Sequence, residues 1–254
     1  MKYAVASDIR QSIMTGRFFL GVLFVAAVVF LSSMDGVLEA FRSDKLLAYG
    51  FHGDFVLRTL EADAIIICLP IVCALPFAGS YVDDVKTGFL KLYIHRTSHR
   101  GYILGKAAGC LVSGGLVIVL GLWLAYGVSI LLFLPMEAAP TEGAEPVNHA
   151  IELFRSCGLI FLSGGFWALF GMTMSAFMES RYIAYAAPFI FYYILIILCE
   201  RYFSSLYVVY PKAWLLPGEE WSLGRWGPAL VVMELIVVTV LCFGVAVRKR
   251  VRGL

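Results

Sequence analysis

The chain has 254 residues, of which 61% are hydrophobic and 15% charged; its mean hydropathy is +0.85 and its formal net charge +2. This composition excludes a soluble globular domain and a disordered chain, and it predicts an all-α integral membrane protein. No polar stretch is long enough to build a soluble core, so residues 1–254 read as a single transmembrane domain.

In chain order, residues 3–14 place Val5, Ile9 and Ile13 at fourfold spacing, which predicts an interfacial helix ahead of the first span. A span needs about 20 apolar residues. Six runs approach that length: 18–34, 64–82, 102–134, 154–178, 182–199 and 228–247. The third is too long for a simple crossing of a core ~30 Å thick at about 1.5 Å per residue. Breaking it at Gly114 and Gly115 would leave 102–113 too short to cross, so one tilted helix is expected. Six spans put Lys2, Arg10, Arg17, Lys86, Lys91, Arg96, Arg100, Lys106, Arg181, Arg248, Lys249, Arg250 and Arg252 on one side. Of the 20 basic residues only Arg42, Lys45, Arg58, Arg155, Arg201, Lys212 and Arg225 fall on the other. That bias predicts a multi-pass protein of the cell membrane with both termini cytoplasmic. The first span lacks a small-residue cleavage pattern and does not read as a signal peptide.

The loops differ in character. Residues 37–63 are long and mixed, and are expected to hold a short helix. Residues 135–146 carry three prolines with Glu137, Glu142 and Glu145, which predicts an acidic irregular loop. Residues 201–227 are rich in aromatics (Tyr202, Phe203, Tyr207, Tyr210, Trp214, Trp221, Trp226) and are expected to form an interfacial belt, the alternative being a re-entrant piece that caps the outer end. Pro70, Pro76 and Pro188 lie inside the second and fifth runs and predict bends. The six cysteines sit in or beside apolar runs without CxxC or metal-ligand spacing, and read as small apolar side chains.

The link between the second and third runs is polar and basic. On a helix over 84–96, Val85, Phe89, Leu92 and Tyr93 fall on one apolar stripe, with Lys86, Lys91 and His95 off it. Such a helix cannot span a bilayer, so it must lie on the surface or dock into a partner.

The chain contains no GxxxxGK[ST] loop and no HExxH, and it is not expected to be an enzyme or to carry a cofactor or metal itself. Leu162, Ser163, Gly164 and Gly165 spell LSGG inside a span, where small residues let helices pack closely. His95 and His99 are four apart but lack a third ligand nearby. Glu234 is the one charge well inside a span. It reads either as a contact for cargo or a partner subunit, or as a protonated or hydrogen-bonded interior residue facing the protein interior or a dimer interface. Lys106 is expected to snorkel to the headgroups and Arg155 to pair with Glu152.

The order of an amphipathic N-terminal helix, six spans and a basic helix between spans two and three resembles the permease subunits of type-2 ABC exporters. The local pattern is Asp83, Asp84, Gly88, Leu90, Tyr93, Arg96, Arg100, Tyr102 and Lys106. The family has a Glu followed by Gly-Thr-Leu and a later Ser-Arg, where this chain has Asp84, then Thr87, Gly88 and Phe89, then Ser98, His99 and Arg100. The resemblance implies a dimer of permeases, identical or homologous, in membrane lipid, with two separate ATPase subunits that carry ATP and Mg, and no nucleic acid. It implies that Val85, Phe89, Leu92, Tyr93 and Arg96 form the helix on which the ATPase pushes, and that the cargo is a peptide or other amphiphile, or else a drug, lipid or polysaccharide, among which the sequence does not choose. The alternative is a non-transporting sensor or assembly module that docks a cytosolic partner through the same helix.

Overall fold

The structure, a computed structural model, describes residues 2–42, 46–60, 62–90, 98–138, 149–203, 207–215, 221, 224 and 226–252. Among these the chain is helical, with no strand and one isolated parallel bridge between Leu47 and Glu137. The helices are α1 (Lys2–Ile13), α2 (Gly16–Ser32), α3 (Met34–Arg42), α4 (Phe51–Thr59), α5 (Asp63–Ala74) and α6 (Ser80–Lys86). They continue with α7 (His99–Phe133), α8 (His149–Met178), α9 (Arg181–Arg201), α10 (Pro211–Leu215) and α11 (Trp226–Arg252). Four of them, α7, α8, α9 and α11, are long and apolar enough to cross a membrane. The pair α1 and α2, bent by 52°, is a fifth candidate.

The expected second span departs from a single helix. Turns over 75–79 separate α5 from α6, and Pro76 falls among them. At 12 residues, α5 is only about 18 Å long. The expected third span is one helix, α7, of 35 residues running unbroken through Gly114 and Gly115. Ser98 starts it: its side chain accepts the Gly101 N–H at 3.2 Å, satisfying one of the free amides of the first turn.

The α7–α8 pair forms the centre of the bundle, with α1 and α2 against α7, α9 and α11 against α8, and α5 touching both. Glycines set the closeness of that crossing. A Cβ on Gly114 would lie 2.3 Å from Ala168 Cβ, and one on Gly115 2.5 Å from the Phe161 carbonyl oxygen. From the other side, a Cβ on Gly165 would lie 2.8 Å from the Leu111 carbonyl oxygen. The LSGG stretch is therefore a packing surface, as read from its small residues. Away from the centre the helices present large apolar side chains outward, among them Phe19, Leu20, Leu131, Leu241 and Val245. A lipid solvent accepts such a surface at no cost.

Aromatics close the α4 end of the bundle. Phe133, at the end of α7, meets Phe51 and Phe55 of α4, each at 5.3 Å between ring centroids. The expected belt over 201–227 is only partly a belt. Tyr202, Phe203 and Trp226 point outward, but Trp214 is 1% exposed. It stacks on Trp167 of α8 at 6.1 Å and donates its indole N–H to the Val208 carbonyl at 2.8 Å. A buried indole needs an acceptor, and the 3-10 turn Tyr207–Val209 before α10 supplies it.

Candidate functional site

Residues of the link and its neighbours converge at the α1 end. The Lys106 ammonium lies 2.8 Å from Asp84 Oδ2, and the Tyr102 hydroxyl donates to the same oxygen at 2.8 Å. Lys106 is 3% exposed and Tyr102 1% exposed, so this pair is formed away from water. The ammonium also sits 4.9 Å from the centroid of the Phe77 ring, a cation–π contact from α5's side. Lys106 therefore does not snorkel. Its partner Asp84 reaches it from α6, and a buried counter-charge outcompetes a stretch to the headgroups.

α1 closes over this pair. Asp8 is 8% exposed, and a Cβ on Gly105 would lie 2.3 Å from Asp8 Oδ2, so α1 rests directly on the glycine face of α7. Asp8 Oδ2 has no hydrogen-bond partner among the described residues. Asp8 lies within the field of both the Lys106 ammonium and the Asp84 carboxylate. Two carboxyls share one ammonium, and Asp84 holds it. The expectation of an interfacial α1 is thus refined: the helix is packed onto α7, with Ser12 fully buried.

The neighbouring acid, Asp83, pairs with Arg181 at the start of α9 at 3.4 Å. Both acids of the sequence pattern are therefore tied to the bundle.

Beyond them the expected helix over 84–96 is interrupted. α6 stops at Lys86, the Thr87 hydroxyl turns back to the Asp83 carbonyl at 2.8 Å, and Gly88 takes φ +72. Only glycine takes that backbone readily. Phe89 and Leu90 are again helical. Val85 and Phe89 consequently do not share one stripe. Val85 packs against the core, Phe89 is 46% exposed and Leu90 is 1% exposed. Leu92, Tyr93 and Arg96 lie outside the described residues.

Glu234 faces outward on α11, in the same exposed band as Met233, Val237 and Val238. The inward stripe of α11 is Val232, Ile236, Thr239 and Phe243. The interior placement expected from sequence is therefore corrected. Arg155 and Glu152 are both exposed and make no ion pair among the described residues.

A second polar cluster, unforeseen in the sequence, lies at the α4 end. Glu137 is 3% exposed at its side chain and accepts the backbone N–H groups of Gly50 (3.1 Å) and His52 (2.7 Å) and contacts His52 Nδ1 (2.8 Å). It caps the N-terminus of α4 from 85 residues away, where a carboxylate meets the free amides and the positive end of the helix dipole. Ser129 of α7 donates to the His52 carbonyl at 3.0 Å, and His149 packs its ring against Gly50 and Gly53. This cluster fastens α4 across α7 and α8. Among the described residues no three His, Cys, Asp or Glu side chains are grouped to hold a metal.

Compared with known proteins, the chain matches no protein-family model and no curated protein.

Proposed function

We propose that the chain is the transmembrane subunit of a type-2 ABC exporter. In this reading it forms the translocation path with a second copy or a homologue, and two separate ATPase subunits carrying ATP and Mg drive it. The cargo is a peptide or another amphiphile. The bundle crosses the cell membrane six times, α5 and the start of α6, to residue 82, making the second crossing, and both termini are cytoplasmic. The observation that carries this reading is the Asp84–Lys106–Tyr102 lock. A polar link fastened to two membrane helices transmits a push, whereas a loosely hung one absorbs it. Phe89, just past the turn at Gly88, is the aromatic offered to a groove on the ATPase, with Leu92, Tyr93 and Arg96 the next residues of that contact.

Co-expression with a P-loop ATPase encoded beside it tests the proposal. Co-purification with cargo-stimulated ATP turnover is the expected result. Binding without turnover makes the chain a docking module or sensor instead. Phe89→Asp should leave insertion intact and weaken ATPase association roughly thirtyfold, because a central interface aromatic is worth about 2 kcal/mol or more. Unchanged association and export in that variant would remove Phe89 from the contact.

Glu234 belongs in this reading to the permease–permease interface. A charge on a lipid-facing surface costs several kcal/mol, and a polar partner relieves that cost. Glu234→Gln is expected to keep the dimer by retaining hydrogen bonding, and Glu234→Leu to lower the crosslinked dimer fraction. Equal dimer fractions in wild type and both variants would place Glu234 against lipid.

A further inference from the structure

A cleft of about 170 Å³ opens at the α1 end, lined by Tyr81, Val82, Val85 and Lys86 of α6, by Glu179 and by Arg250 of α11. Two hydrogen-bond donors in its wall have unmet needs. The Tyr81 hydroxyl and Arg250 Nε are both buried without a hydrogen-bond partner among the described residues. Tyr81 is 2% exposed, and its ring is pinned edge-on against Phe243 at 5.4 Å. Buried donors left unpaired keep their desolvation penalty with nothing to offset it. Such a cost persists where a ligand meets it.

The rest of the cleft says what kind of ligand. Glu179 holds Arg250 through Nη1, which orients the guanidinium and leaves Nε buried without a partner among the described residues. Glu179 itself takes φ 52 in the turn from α8 to α9, a backbone that a residue with a side chain adopts at some strain. Lys86 is exposed at the rim and has no carboxylate within ion-pair distance among the described residues. The neighbouring acids are already engaged, Asp83 by Arg181 and Asp84 by Lys106. Two cations against one carboxylate leave the cleft one charge positive. Tyr81, Lys86 and Arg250 supply three donors to the same cleft, and a phosphate group has acceptor oxygens for each. The volume is ample for one phosphate group with residual hydration. The chain leaving the cleft is Arg248, Lys249, Arg250 and Arg252, a basic cluster of the kind that draws anionic lipid.

We propose that this cleft binds a phosphate group, presented either by an anionic lipid headgroup or by a soluble phosphate. Occupancy ties α6, the α8–α9 turn and α11 together through one ligand. Phosphate binding here does not depend on ATP-driven export, and either can fail alone.

The test uses the full chain in two arms. In detergent, inorganic phosphate is titrated against chloride at constant ionic strength. In nanodiscs, phosphatidic acid is titrated into phosphatidylcholine. Thermal unfolding is read in both. A saturable rise in Tm is expected in at least one arm. Lys86→Gln should weaken the apparent affinity about tenfold, the equivalent of 1.4 kcal/mol. Tyr81→Phe, which keeps the ring on Phe243, should weaken it several-fold. Arg10→Gln, an exposed charge at the same end but outside the cleft, should leave it unchanged. A rise in the lipid arm alone assigns the site to a headgroup, and a rise in both assigns it to the phosphate itself. No saturable rise in either arm overturns the proposal, as does an equal loss of affinity in all three variants.

Discussion

Lys106→Met should be among the most damaging single substitutions in the protein. It leaves Asp84 and the Tyr102 hydroxyl facing an apolar side chain in a site where Lys106 is 3% exposed. Breaking a buried ion pair from one side costs about 3–5 kcal/mol, because the surviving charge keeps its desolvation penalty and loses its counter-charge. Yield and thermal stability in detergent should both fall. Asp84→Asn combined with Lys106→Met should recover much of the loss, since no unpaired charge then remains. A double-mutant cycle separates the pair's coupling from the effects of either side chain alone. Losses below about 1 kcal/mol for each single variant would mean that water reaches the pair, and the lock would not exist as described.

Gly115→Ala should be nearly as disruptive, although it adds only a methyl group. The new Cβ would meet the Phe161 carbonyl oxygen at 2.5 Å, and backbone atoms cannot rotate away. α7 and α8 would have to separate along their crossing. Overpacking of this kind costs about 1–3 kcal/mol and sometimes more. Gly127→Ala, on the same helix, is the control. A Cβ there meets nothing within 4 Å, so a stabilisation of about 0.5–1 kcal/mol is expected from the better helix former. Equal effects at the two sites, read by thermal unfolding, would mean that the crossing is looser than the structure describes.

These expectations divide along what a sequence can and cannot encode locally. α7 was legible as one helix because its apolar run is continuous and no alternative crossing fits its length. The packing role of Gly164 and Gly165 was legible because small residues at a span's centre have few other uses. The acids 83 and 84, with Tyr102 and Lys106, stood out as a pattern, but their meeting depends on α6 folding back against α7.

The break at Gly88 was present in the sequence, where a Thr-Gly pair opposed a helical stripe. Periodicity alone does not register it, and in the structure the left-handed glycine prevails. Trp214 was misread because aromatic density carries no direction; its inward turn depends on Trp167, far away in sequence. Glu137 lay in a stretch read as irregular, and no local pattern joins it to the amides of Gly50 and His52. For Glu234 the cost of a charge in lipid predicts the protein interior or a dimer interface, and that cost alone does not choose between them. The spacing of Val232, Ile236, Thr239 and Phe243 would have shown which face of α11 the bundle takes.

The length of α7 has a mechanical meaning. Its 35 residues make a rod of about 52 Å, longer than a hydrocarbon core is thick. The tight glycine contacts at Gly114 and Gly115 fall close to its midpoint and leave little room to slide, so they act as a fulcrum. One arm bears Lys106 and its lock, and the other bears Ser129, bonded to the His52 carbonyl. Each arm is about 25 Å long, so a tilt of about 10° displaces either tip by roughly 4 Å, in opposite senses. A tilt driven at Lys106, about 13 Å along the rod from Gly115, would move Phe133, about 27 Å on the other side, roughly twice as far in the opposite sense, at its closure with Phe51 and Phe55.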